Sequence, residues 1–87
     1  MITLSEAFRL CQIDEEHVWL RVFGEPERKD HFFWVTDVCN RFDTKKIKVI
    51  YILPKIDTSP AYEGMFLGMC FVVTGISEDE LIKEEFL

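Results

Sequence analysis

The nine residues Lys45–Leu53, Lys-Lys-Ile-Lys-Val-Ile-Tyr-Ile-Leu, constrain this chain more than any other stretch. They begin as an alternation, Lys46 and Lys48 on one side and Ile47 and Val49 on the other, and finish as four consecutive apolar residues, Ile50 to Leu53. β-Branched and aromatic residues at period two suit a pleated strand. A passage from one apolar face to two suits a strand with cover on both sides. The segment is expected to be the central strand of a sheet, ended by Pro54, which cannot donate to a ladder.

The remaining elements read as cover for that strand. Thr3-Leu4-Ser5-Glu6 has the form of a capping box, and Leu4, Phe8 and Cys11 then share one helical face, so a first helix is expected to end near Gln12. His17 to Phe23 alternates: Val18, Leu20 and Val22 fall on one side, and His17, Trp19, Arg21 and Phe23 on the other. A polar turn over residues 24–30 leads to a second, aromatic strand over His31–Val35, and the two are expected to form a hairpin. Thr36 is expected to cap a short helix carrying Val38 and Phe42, closed by Asp43-Thr44. Residues 55–64 read as a long loop, Met65–Thr74 as a fourth strand with Gly68 marking a bulge or close approach, and Ser77-Glu78-Asp79-Glu80 as the capping box of a last helix. The fold class is therefore α+β, one small domain over residues 1–87. The expected order is α-β-β-α-β-β-α, with a mostly antiparallel four-stranded sheet covered by helices. Phe8, Leu20, Val22, Val49, Ile50, Ile52, Phe71 and Val73 are expected deepest.

At 48% apolar, 87 residues suffice for a core. The net charge of −6 is unevenly spread: residues 1–27 carry −4, residues 28–55 carry +4, and residues 56–87 carry −6. Cys11, Cys39 and Cys70 are distant from one another and in no metal-binding spacing, so buried thiols in a reducing cytoplasm are expected, and neither a disulfide scaffold nor a zinc ribbon. The longest uncharged run, Gly64–Ser77, is fourteen residues, short of the roughly 20 that span a bilayer, so no membrane association is expected.

No phosphate-binding loop, dinucleotide fingerprint, zincin motif or nucleophile elbow is present, and no cofactor is implied. A hairpin centred on Glu27 pairs position i with 54 − i. That register holds His17 and His31 roughly 20 Å apart at ~3.3 Å per residue, which argues against a shared metal. Cys39 with His31 and Asp37 offers a nucleophile reading, but Val38 and Phe42 beside it make a core cysteine the simpler account.

Two constellations suggest binding. Asp14-Glu15-Glu16 and Glu84-Glu85 are acidic clusters that helix dipoles do not account for, and Trp19, Trp34 and Tyr62 are rings in excess of what so small a core needs. Together they suggest a non-enzymatic module that engages a protein partner with a basic surface. Arg41, Lys45, Lys46 and Lys48 follow the rings of Phe32, Phe33 and Trp34 and suggest, as the alternative, a nucleic-acid-binding accessory protein. A third reading is a homodimer that pairs an exposed edge of the Met65–Thr74 strand with itself. In size, acidity, aromatic content and lack of catalytic motifs the chain resembles small accessory proteins of phages and mobile elements, anti-CRISPR proteins among them. That resemblance is one of profile, carried by no motif, and implies a small inhibitor without assigning any residue.

Overall fold

Thr3 turns the chain from extended backbone into helix, and the first two elements meet at that residue. The computed structural model describes residues 1–25 and 33–85, the last three as backbone only. In chain order it comprises β1 (Ile2–Thr3), α1 (Leu4–Cys11), β2 (Val18–Val22), β3 (Phe33–Trp34), α2 (Val35–Arg41), β4 (Lys48–Ile56), β5 (Phe66–Thr74) and α3 (Glu78–Glu85), with 3-10 turns over Glu15–His17 and Thr44–Lys46. The expected capping box is present: the Glu6 amide donates to Thr3 Oγ1 and the Thr3 amide to Glu6 Oε1, both at 3.1 Å. Gln12, left-handed at φ 50°, closes α1 through its amide to the Phe8 carbonyl. Thr3→Ala is expected to cost about 1 kcal/mol in urea unfolding at neutral pH. The Thr3 amide holds the Glu6 carboxyl below its ordinary value of 4.5. The Glu6 contribution is therefore complete above that pH and is lost as acid protonates the carboxylate through its lowered value.

The five strands lie in the order β1-β4-β5-β2-β3. Every neighbouring pair is antiparallel except β2 and β5, which run parallel from Val18 opposite Met69 to Val22 opposite Val73. The sheet is thus mixed and five-stranded, where four mostly antiparallel strands were expected. The added strand, β1, is two residues long and carries no periodicity to read.

The centre of the sheet is β5, and this corrects the expectation for Lys45–Leu53. Cys70 to Val73 are buried on both faces, whereas β4 buries Val49 and exposes Tyr51 and Leu53. Residues 44–46 form a turn, with Asp43 accepting from the Lys45 amide at 3.0 Å, so the strand begins only at Lys48. It also runs through Pro54 to Ile56. β1 pairs with β4 only at Lys48 and Val49, so beyond them the outer edge of β4 has no strand neighbour among the described residues, and an edge is where a strand tolerates proline. A register shift between Val49 and Tyr51 leaves Ile50 as an extra residue.

All three helices lie on one side of the sheet. Leu4, Ala7, Val35, Val38 and Leu81 close with Val18, Leu20, Val22, Val49, Phe71 and Val73 into a single core, in which Phe8 meets Phe71 edge-on at 5.3 Å. Of the residues expected deepest, Leu20, Val22, Val49, Phe71 and Val73 are buried, while Phe8, Ile50 and Ile52 are half-buried. Trp34, not Thr36, stands at the N-terminus of α2, and no side chain caps that helix. Ser77 Oγ accepts from the Glu80 amide at 3.2 Å, as its capping role requires. The turn at 26–30, His31 and Phe32 of the expected second strand, and Phe86 of the last helix lie outside the described residues.

Candidate functional site

Alternation along β2 decides what the other side of the sheet carries. Val18, Leu20 and Val22 enter the core, so Trp19 and Arg21 face away from the helices. The β2–β3 pair aligns Trp19 with Trp34 and Leu20 with Phe33, one residue off the expected register. That one residue places both indoles on the same face. Their rings sit 4.8 Å apart at 38°.

Across β5 the same row continues through Cys70 to Leu53, and the next row runs from Arg21 through Val72 to Tyr51. Phe23, just past the end of β2, leans across to Tyr51 with ring centroids 6.2 Å apart. Cys70 and Val72 are only 4% and 3% exposed although no described helix covers them. Their cover is this layer of side chains from neighbouring strands. The layer itself meets solvent: Trp34 and Leu53 are 44% exposed, Tyr51 53% and Phe23 54%. Among the described residues, the face is a two-ended aromatic surface without a helix over it.

Gly68 sets the position of Trp19. Its φ of +149° lies where side-chain-bearing residues are rare. A Cβ there would run into the His17 carbonyl and lie 2.6 Å from Trp19 Cζ3. The glycine is the close approach that its place in an apolar strand suggests, and it leaves the room that the indole occupies.

Of the residues singled out in the sequence, the structure brings Trp19 and Trp34 together and disperses the others. Asp14, Glu15 and Glu16 are exposed in the turn that leads into β2. Tyr62, 58% exposed, lies in the turn region beyond the β4–β5 hairpin. Glu84 and Glu85 belong to α3, and their side chains lie outside the described residues. Arg41 ends α2, Lys45 and Lys46 are exposed in the turn before β4, and Lys48, the first residue of β4, is the only one of the four on the sheet face. Arg21, Phe23, Tyr51 and Leu53 complete the face. The mixed outer side of β2 pointed to the first two, whereas the last two were absorbed into a strand expected to be covered on both sides.

The remaining chemistry is sparse. Cys39 is exposed on α2 rather than in the core, and partial burial of its thiol together with the charge of Glu15 pushes its pKa up, away from thiolate reactivity. Cys70 is buried and Cys11 half-buried. Among the described residues no three His, Cys, Asp or Glu side chains gather as metal ligands. None of the described helices is long and apolar enough to cross a membrane. The Met65–Thr74 edge reading does not hold, because β5 is hydrogen-bonded to a strand on each side.

Comparison with known proteins finds no matching family model, curated protein or solved structure.

Proposed function

We propose that the chain is a non-enzymatic binding module, of the accessory or inhibitor type, that engages a second macromolecule through the helix-free face of its sheet. The observation that carries this reading is the tilted Trp19–Trp34 pair, held on paired strands with Trp19 half-buried and Trp34 open to solvent, and with Leu53, Tyr51 and Phe23 alongside. Large rings with few rotatable bonds are the side chains that dominate binding energy when a partner buries them.

Trp34→Ala is expected to weaken partner affinity by roughly thirtyfold or more, the size of a contact worth about 2 kcal/mol. Because Trp34 is 44% exposed and caps no helix with its side chain, the melting temperature should change little. Affinity capture with wild-type and variant baits, quantified by mass spectrometry and paired with thermal melts, checks both halves. Equal recovery of every partner by the two baits would defeat the reading.

A second reading rests on the three consecutive exposed carboxylates Asp14, Glu15 and Glu16, which stand beside the entry to the Trp19 strand. On this reading the partner is a protein with a basic surface, steered by those charges toward the chain. Neutralising them as D14N/E15Q/E16Q would then slow association and flatten its salt dependence, which stopped-flow measurement with the captured partner resolves.

A further inference from the structure

The five strands contain no Asp or Glu. The fourteen acids among the described residues all lie outside them, while three of the eight described bases, Arg21, Lys48 and Lys55, lie within. Pairing fixes where these three point. Arg21 alternates with the buried Leu20 and Val22, Lys48 with the buried Val49, and Lys55 stands opposite Gly68, next to the inward-facing Met69. All three belong to the helix-free face. A chain of net charge −6 therefore presents, on that face, three cations among aromatic rings and no strand carboxylate.

Resting on the sheet-face reading above, we propose that the ligand of this face is a single-stranded nucleic acid. The rings form two platforms, Trp19–Trp34 and Phe23–Tyr51, with Arg21 between them in the register of β2. Trp19 and Phe23 are four residues apart, about 13 Å at ~3.3 Å per residue. Lys48 and Lys55 mark the two ends of β4, roughly 23 Å apart by the same rise, with Tyr51 and Leu53 between them. The Lys48 ammonium donates a hydrogen bond to the Lys45 carbonyl at 3.4 Å. A strand of bases can lie across such a surface, stacking on the rings while its phosphates follow the cations. A duplex cannot, because its base faces are already stacked on one another. A second copy of the chain is disfavoured by charge, since two such faces brought together oppose cation to cation. Outside the strands the described residues carry fourteen acids against five bases, a balance that disfavours phosphate there.

The test is fluorescence anisotropy with a fluorescein-labelled oligothymidylate of about 12 nucleotides, its RNA counterpart and a duplex of the same length, begun at about 50 mM salt. Saturable binding of a single strand is expected, with quenching of tryptophan emission. Each phosphate contact on a single strand steepens the log–log salt slope by about 0.7. Trp34→Ala should weaken binding about thirtyfold and Tyr51→Ala about tenfold, and K48E/K55E should flatten the salt slope, while D14N/E15Q/E16Q should not weaken binding. Absence of saturable binding, equal affinity for the duplex, or binding indifferent to both ring variants would overturn the proposal. Capture from nuclease-treated lysate separates the two levels. If oligonucleotides fail to bind but an acidic protein is retained in a Trp34-dependent way, this inference falls and the sheet face stands. If retention is independent of Trp34 as well, both fall.

Discussion

Phe71→Ala is expected to be the most damaging single substitution in the molecule. Phe71 is fully buried at the centre of β5, with Leu20 beside it on β2 and Ile52 on β4, and its ring meets Phe8 of α1 at 5.3 Å. Removing it empties the point where the middle of the sheet meets the first helix, and neither neighbouring strand can move in without breaking its pairing. Truncating a buried phenylalanine costs about 3–5 kcal/mol, set against a total stability of roughly 5–15 kcal/mol for a domain of this kind. The melting temperature should fall by on the order of 20 °C. Phe71→Leu, which retains most of the volume, should recover over half of the loss. Urea titration of the three proteins by circular dichroism decides the matter, and a midpoint for the alanine variant within error of wild type would contradict the placement of this core.

Gly68→Ala is the second, and it links stability to the binding face. The added methyl group meets the His17 carbonyl and the Trp19 ring, and the backbone at φ +149° is unfavourable for any residue with a Cβ. The two penalties together amount to about 2–4 kcal/mol. Relief requires the Trp19 indole to move, and that movement takes apart the pair at 4.8 Å. The expected signature is therefore double: a lower urea midpoint and a changed near-ultraviolet dichroism from the coupled indoles. If the alanine protein kept the wild-type tryptophan spectrum, Gly68 would have no part in setting the face.

Local signals in the sequence were legible where local physics decides. The Thr3–Glu6 box, the Ser77 cap and the alternation of Val18, Leu20 and Val22 each involve residues within a few positions, and each is found in the structure. Misreadings came where pairing partners lie far apart in the chain. β4 and β5 are both rich in apolar residues, and which of them sits in the centre depends on the parallel partner, β2, whose paired residues are 51 positions away. Placing β4 in the centre hid Tyr51 and Leu53 as surface residues. Trp19 and Trp34 each stand out in the sequence as rings beyond what a small core needs, but their contact depends on a register that differs by one residue from a turn centred on Glu27. The absence of acids from the strands could be seen only once the strand boundaries were known, because the charge reading by thirds of the chain averages Arg21 and Lys55 with carboxylates on other elements.

The parallel pairing of β2 with β5 also bears on how the protein is made. Synthesis delivers β2 well before residues 66–74 and β4 only just ahead of them, yet β5 is the strand that joins them. Until it emerges, the nascent chain holds two sheet fragments with open edges, Phe33 and Leu20 without their core, and Trp19 without Gly68 to rest on. Assembly of the sheet therefore waits on a late segment, and the cost of closing so long a loop falls on the slowest step of folding. During that interval the unpaired strands are open to misassociation.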